Sequence, residues 1–248
     1  MRLLFDIGNT SITCAKVQNR RFVSLGSHLI DIIPKKIDLW SKSGGKCQLE
    51  VIISSVVPEK TLFLTDRLNK RKAQIWIAGD NLPVPIRHQY RDINKLGMDR
   101  RVCVYGALKM HKPPFMILDY GTALTADYVN AQGVFLGGMI IPGPELAYQA
   151  LLAKAALLPK HTRLPRKTPA FLGRTPAECL ETGILQGYGA MARGLVDSFK
   201  KKYGKSLQVI ATGGFANQLS PLAGCFDVVD SDLCLKSLHH LFEDQICL

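Results

Sequence analysis

The sequence predicts two similar α/β domains, each built on a mixed β-sheet. The first observation is a duplicated motif: apolar residues 3–5 lead into Asp6-Ile7-Gly8, and apolar residues 116–118 lead into Asp119-Tyr120-Gly121. The two motifs lie about half the chain apart, and a second strand-like run follows each of them. A repeat of this period, with its polar residues at the same phase, predicts two domains whose loops face each other.

The first half of the chain alternates strand and helix patterns. We predict strands at 2–8, 11–17, 21–27, 50–57 and 74–78, a short helix and loop within 31–48, and an amphipathic helix at 59–72. A loop at 79–96 precedes a helix that begins near Gly97, with Asp99 in its first turn, where an acid suits the helix dipole. Lys112-Pro113-Pro114 ends this helix and predicts a boundary between domains 1–113 and 114–248.

The second half repeats the three opening strands. The predicted elements are strands at 115–119, 124–130, 134–141, 207–211 and 226–229, and helices at 145–158, 175–202 and 231–248. Thr175 and Glu178 have capping-box spacing at the start of the second of these helices. The basic loop at 159–172 receives no role from the sequence.

Composition limits the classes of function. The 248 residues contain no run of 18 apolar residues, so no membrane-spanning helix is expected. The seven cysteines are scattered without CxxC spacing, which predicts reduced thiols in a cytoplasmic protein and no zinc. The formal net charge is +12, but the basic residues are spread along the chain without interleaved aromatic residues. Most of this charge is therefore expected on solvated surface, and nucleic acid is not expected as a partner.

The loop after the first strand has the composition of a phosphate clamp. Gly8 permits a sharp turn and lets a phosphate approach the backbone amides. Short donors follow at Asn9, Thr10, Ser11 and Thr13. Asp6 is suited to Mg²⁺, which prefers carboxylate, water and phosphate oxygens. A single copy is equally typical of an Asx turn in a hairpin, and it is the pair of copies that favours a nucleotide site made from two halves.

Six motifs in order give the sequence a family resemblance. They are Asp6-Ile-Gly-Asn-Thr10, Gly97-Met-Asp-Arg100, Asp119-Tyr-Gly-Thr-Ala-Leu-Thr125, Gly137-Gly-Met-Ile-Ile-Pro-Gly143, Gly173-Arg-Thr175 and Thr212-Gly-Gly214. Together they resemble the type III pantothenate kinases of the acetate and sugar kinase/Hsp70/actin superfamily. The resemblance implies two ribonuclease H-like (actin-like ATPase) domains with mixed sheets facing a central cleft. It also implies a homodimer that phosphorylates pantothenate with ATP, the first step of coenzyme A synthesis.

The resemblance also assigns the catalytic and nucleotide-binding residues. Asp99 looks like the general base, although an acid at a helix N-terminus is also common without such a role. Beside Arg100 and Arg101 it would be a weak base, better suited to orienting the substrate hydroxyl. The loop that holds the phosphates of Mg-ATP in this family resembles a stretch of this sequence made of Asp6, Ile7, Gly8, Asn9, Thr10, Ser11, Ile12 and Thr13. Thr122 resembles the corresponding contact in the second loop. Thr212-Gly213-Gly214 lies where the superfamily packs adenosine.

The remaining assignments concern pantothenate and a monovalent cation. The implied substrate-binding residues are Tyr90, Gly97, Met98, Asp99, Arg100 and Thr175. Arg100 suits the pantothenate carboxylate, whereas Tyr90 equally suits packing within the domain. Thr175, which in these kinases comes from the neighbouring subunit, can also serve as the helix cap. Asp119 resembles the position associated with bound K⁺ or NH₄⁺.

One function of a different class stays open at this stage. The alternative is a non-catalytic regulatory factor of the same fold that binds nucleotide or nucleic acid. The intact carboxylates Asp6, Asp99 and Asp119, together with Thr122, favour an enzyme over this alternative.

Overall fold

The computed structural model describes residues 1–41, 48–154, 163–166 and 170–246. These residues divide into two compact units. The first comprises Met1–Ile86, Tyr90–Met110 and the C-terminal segment from Asp232, and the second comprises Arg87–Gln89 and His111–Ser231. Cys47, Cys247 and parts of the predicted helix 145–158 and basic loop 159–172 lie outside the described residues.

The first unit is built on a five-stranded mixed sheet with the strand order β3-β2-β1-β4-β5. The strand β1 pairs antiparallel with β2 and parallel with β4. The strands are β1 (Arg2–Ile7), β2 (Ile12–Gln18), β3 (Arg21–His28), β4 (Glu50–Ser55) and β5 (Gln74–Ile77), and the helices are α1 (Ile33–Ser41), α2 (Pro58–Asn69) and α3 (Met98–Met110).

Alternation along β1 sends its side chains into two separate cores. Leu3, Phe5 and Ile7 are buried in one cluster with residues of α1 and α2. Leu4 is buried in the other, with residues of α3 and of the last helix of the chain, α7 (Leu233–Ile246). Because side chains alternate between the faces of a strand, Asp6 lies on the same face as Leu4.

The second unit repeats the strand order of the first. Its sheet reads β8-β7-β6-β9-β10, with β6 antiparallel to β7 and parallel to β9. The strands are β6 (Phe115–Tyr120), β7 (Ala123–Val129), β8 (Phe135–Pro142), β9 (Gln208–Thr212) and β10 (Val228–Val229), and the helices are α4 (Pro144–Lys154), α5 (Pro176–Tyr203) and α6 (Ala216–Ala223). The predicted fold class is thus confirmed: each unit has a mixed five-stranded sheet, and the two sheets share one topology.

The packing of the units differs from the predicted domains at two places. The helix α7, predicted within residues 114–248, packs in the first unit, where Leu235, Leu238 and Leu241 share a core with α3. Residues 87–89, predicted within the first domain, join the second unit because the Arg87 carbonyl accepts from the Phe135 amide and the Gln89 amide donates to the Phe135 carbonyl.

The helix α6 is an element that the sequence analysis does not predict. It runs from Ala216 to Ala223 despite the internal Pro221. Ala216, Leu219 and Ala223 are its buried residues, and their spacing is that of one helix face. Among the described residues, no helix is both long enough and apolar enough to cross a membrane.

Candidate active site

The first loop, residues 8–11, connects β1 to β2. The Gly8 amide donates to the Ser11 carbonyl at 3.0 Å and closes the turn, while Asn9 and Thr10 are exposed at its tip. Ile7 and Ile12 pair across the strands and are fully buried. Of the residues predicted to bind the nucleotide, these two isoleucines therefore present only backbone groups to a ligand.

Lys60 fastens this loop to α2, a contact that the sequence analysis does not predict. Its Nζ donates to the Gly8 carbonyl at 2.9 Å and to the Asn9 carbonyl at 2.6 Å. Lys60 lies in the first turn of α2, where a positive charge opposes the helix dipole. The side chain therefore serves the loop rather than its own helix.

Asp6 lies in a polar row that crosses three strands. Its register partners are Thr13 on β2 and Ser54 on β4. The Thr13 hydroxyl is hydrogen-bonded to Ser27 Oγ at 3.0 Å. The Ser54 hydroxyl is buried and, among the described residues, has no hydrogen-bond partner of good geometry. Thr13 and Ser54 thus place hydroxyl groups on both sides of Asp6.

Asp6 also lies close to Asp99, so that two of the predicted carboxylates come together. Burial, followed by the charge of Asp99, raises the pKa of Asp6 to about 7, although contacts with Cys234 and Ser54 lower it in part. Two carboxylates at one site repel each other, and a cation relieves this repulsion. The two carboxylates and the neighbouring Ser54 hydroxyl fit Mg²⁺, which keeps much of its water shell and takes one or two protein carboxylates.

Asp99 is positioned by the way in which α3 begins. Its Oδ1 accepts from the Arg100 amide at 2.8 Å, so the carboxyl group folds over the helix N-terminus. A Cβ on Gly97 would lie 2.6 Å from that oxygen, so a side chain at position 97 would displace the Asp99 carboxylate. The contacts within residues 97–100 therefore hold the Asp99 carboxylate in place, close to Asp6.

Two of the other predicted substrate residues of this unit, Met98 and Arg100, lie in the first turn of α3. Met98 covers Gly79, where the Met98 methyl group occupies the space of a Cβ. Arg100 is buried, with 8% of its surface exposed. Tyr90 is half-buried and belongs to the same compact unit.

The second loop, at residues 121–122, is shaped by close backbone contacts. The Gly121 amide donates to the Ala123 carbonyl at 3.1 Å, and the Gly143 amide donates to the Thr122 carbonyl at 3.0 Å. A Cβ on Gly143 would lie within 2.5 Å of the Gly121 and Thr122 carbonyl oxygens. Thr122 itself is exposed. Gly143 therefore allows β8 and α4 to support this loop directly.

Asp119 occupies the position in β6 that Asp6 occupies in β1. Its register partners are Thr125 and Thr212, which repeats the polar row of the first sheet. A Cβ on Gly213 would lie 2.4 Å from Asp119 Oδ1, so the turn after β9 packs directly on this carboxylate. Carboxylate and hydroxyl oxygens are donors that suit a hard cation.

Thr175 is the N-cap of α5 in the second unit. Its hydroxyl accepts from the Glu178 amide at 3.3 Å, and Glu178 Oε2 accepts in return from the Arg174 amide at 2.8 Å. The predicted cap is confirmed, with the return bond one residue earlier than in the usual capping box. A Cβ on Gly173 would lie 2.2 Å from the Cys179 amide nitrogen, which explains the glycine in this motif.

Comparison with known proteins decides the family of this site. Residues 2–198 match the family model of type III pantothenate kinase. The chain belongs to the type III pantothenate kinase family. A type III pantothenate kinase from Thermus thermophilus is 46% identical over 251 residues, which cover 96% of this chain and 97% of the relative. One from Desulfovibrio desulfuricans is 32% identical, covering 98% and 97%.

These matches confirm the predicted family. They also confirm that the protein is a kinase and, at the level of the family, that its reaction is the phosphorylation of pantothenate. A solved structure from Campylobacter jejuni, assigned to the Baf family of transcriptional activators, aligns with a TM-score of 0.54 at 19% identity. It covers 98% of this chain and 97% of that one. This likeness shows a shared fold alone, and no comparison favours the non-catalytic alternative.

Proposed function

We propose that this chain transfers the γ-phosphoryl group of ATP to the primary hydroxyl of pantothenate, the first step of coenzyme A synthesis. The observation that carries the proposal is the meeting of Asp6 and Asp99 at the ends of β1 and α3 in a member of this kinase family. Phosphoryl transfer needs little covalent chemistry from the protein, so catalysis depends on positioning and on compensation of charge.

The first loop and Asp6 are assigned to the phosphates. The Gly8 turn and the exposed Asn9 and Thr10 offer donors at the loop tip, and Lys60 keeps the loop in place. Asp6 would hold Mg²⁺, with the Ser54 hydroxyl available to a water of its shell. The metal, when bound, offsets the phosphate charge. Thr122 is assigned to the same role in the second loop.

Asp99 is assigned to the substrate hydroxyl. Its carboxylate is held by the Arg100 amide and would accept a hydrogen bond from the hydroxyl, orient it towards the phosphorus and take its proton as the bond forms. Arg100 would pair with the pantothenate carboxylate, with Gly97, Met98 and Tyr90 beside it. Thr175 would reach the substrate of the neighbouring subunit in a homodimer, while its cap holds the start of α5.

Asp119 is assigned to a monovalent cation, K⁺ or NH₄⁺. Its carboxylate lies beside Gly121 and Gly213, and a side chain on Gly213 would collide with it. The cation, when bound, adds positive charge near the phosphates. The scattered cysteines support a cytoplasmic location for the enzyme.

A single assay tests the reaction and the cation assignment. Purified protein is incubated with Mg-ATP and pantothenate in K⁺ and, separately, in Na⁺, and the product is identified by mass spectrometry. We expect 4′-phosphopantothenate in K⁺ and much less in Na⁺. Absence of the product in both salts would refute the proposed reaction, and equal rates in both would refute the assignment of Asp119.

A further inference from the structure

Residues 163–166 are held against the turn that follows β9. The Leu164 amide donates to Glu145 Oε2 on α4 at 3.1 Å, and Gln218 Nε2 on α6 donates to the Pro165 carbonyl at 2.8 Å. Leu164 is buried in the core of the second unit. These contacts with α4 and α6 fix the backbone of the segment that carries Arg166.

The Arg166 guanidinium lies over an aromatic ring of that turn. Its Cζ is 3.7 Å from the centroid of the Phe215 ring, and its Nη1 donates to the Gly214 carbonyl. Phe215 is buried, with 3% of its surface exposed, whereas Arg166 is exposed among the described residues. One face of the guanidinium therefore lies over the ring, while the side chain as a whole stays exposed among the described residues.

The same turn touches the end of β6, which carries Asp119. Gly213 packs on Asp119, as described above, and has the positive φ of 86° that favours glycine. A Cβ on Gly214 would meet the Arg166 Nη atoms at 3.6–3.7 Å. A guanidinium–aromatic platform, made of Arg166 over Phe215, thus borders the glycine turn within one compact unit.

We propose that Arg166 is a nucleotide-specificity residue whose exposed guanidinium face stacks on the base of ATP. This inference rests on the proposed function, because it requires the nucleotide to lie at the glycine turn. A guanidinium is planar, delocalised and weakly hydrated, so it stacks on aromatic rings as an ammonium group does not. A purine presents a larger face than a pyrimidine, and the platform therefore favours adenine over cytosine.

The test compares binding of ADP and CDP with Mg²⁺, measured by calorimetry in the absence of pantothenate. The variants are Arg166→Ala and Arg166→Lys, with Arg163→Ala as the matched control, because Arg163 is an exposed arginine of the same segment. We expect both Arg166 variants to weaken ADP binding about tenfold, the size of one stacking contact, and to weaken CDP binding by a smaller factor because the cytosine face is smaller. Arg163→Ala should retain the wild-type ratio of the two affinities.

Two results would overturn the inference. Equal losses for ADP and CDP would show that Arg166 does not select between bases, and unchanged ADP binding would leave it a purely structural contact. Steady-state kinetics separate this inference from the proposed function: in Arg166→Ala the KM for ATP should rise about tenfold while kcat and the KM for pantothenate change little. A wild-type protein that prefers ADP to CDP but does not phosphorylate pantothenate would refute the function and leave the Arg166 result standing.

Discussion

The Asp6 carboxyl group lies at a position where the fold disfavours its negative charge. Burial and the neighbouring Asp99 both disfavour its ionised form, and its pKa is raised to about 7. A protein gains no stability from such an arrangement unless a cation joins it. The residue is therefore better explained by binding than by folding, as is common for strongly shifted groups in a site.

Asp6→Asn should show how much the charge of Asp6 lowers the stability of the metal-free protein. The folded pKa of about 7 exceeds the ordinary 3.8, so between these pH values the folded chain holds a proton that the unfolded chain has released. Stability contributed by Asp6 is consequently lost as the pH rises towards 7. Asparagine does not ionise, so the melting temperature of the variant should exceed that of the wild type by a margin that grows from pH 5 to pH 8.

The measurement is calorimetric melting in a chelator at both pH values. Asp66→Asn, an exposed change on α2 in the same unit, serves as the control and should show no pH-dependent gain. A margin for Asp6→Asn that is equal at pH 5 and pH 8 would contradict the raised pKa.

The first element of the site is α2, which presents Lys60 to the first loop. Lys60→Met removes both hydrogen bonds to the Gly8 and Asn9 carbonyls and retains most of the aliphatic chain. We expect the KM for ATP to rise several-fold, because the phosphate donors lose their fixed position, with little change in melting temperature. Lys70→Met, at the exposed end of the same helix, should behave as the wild type. A wild-type KM in Lys60→Met would remove Lys60 from the site.

The second element is the junction of β8 and α4 at Gly143. Gly143→Ala should displace the loop at 121–122, because the new methyl group would lie within 2.5 Å of its carbonyl oxygens. We expect lower activity and a destabilisation of about 1–3 kcal/mol, measured by denaturant unfolding. Gly194→Ala is the matched control: its Cβ meets no described atom within 4 Å, and alanine stabilises a helix interior by about 0.5–1 kcal/mol. Equal effects of the two changes would contradict the close packing at Gly143.

The elements show how far the sequence reaches. The repeated Asp-x-Gly motif predicts both sheets, because the apolar run that leads to Asp6 or Asp119 is contained in the sequence of a single strand. Two further features follow from the repeat and were not predicted. The helix α6 follows β9 as α2 follows β4, and Ser54 lies beside Asp6 as Thr212 lies beside Asp119. Lys60, Arg166 and the packing of α7 depend on contacts between distant segments, for which local patterns carry no signal.

At the scale of the whole molecule, the proposed homodimer makes a prediction about shared sites. If Thr175 serves the partner's site, a dimer of one Asp99→Asn chain and one Thr175→Val chain has one site with both residues intact. Mixing the two inactive variants under conditions of subunit exchange should restore about one quarter of the wild-type activity, because half of the random dimers are mixed and each has one good site of two. Failure of the mixture to regain activity, with exchange verified by mass, would contradict a shared site.

The most direct test of the central claim is pantothenate-dependent ADP release by the wild type and by Asp99→Asn, with the ADP affinity of each measured in parallel. The account predicts that Asp99→Asn lowers kcat by roughly 10²–10⁴-fold, the range for losing a general base, and leaves ADP binding close to that of the wild type. Turnover retained in Asp99→Asn would contradict the role of Asp99, and with it the reading of the Asp6–Asp99 pair as the centre of the reaction.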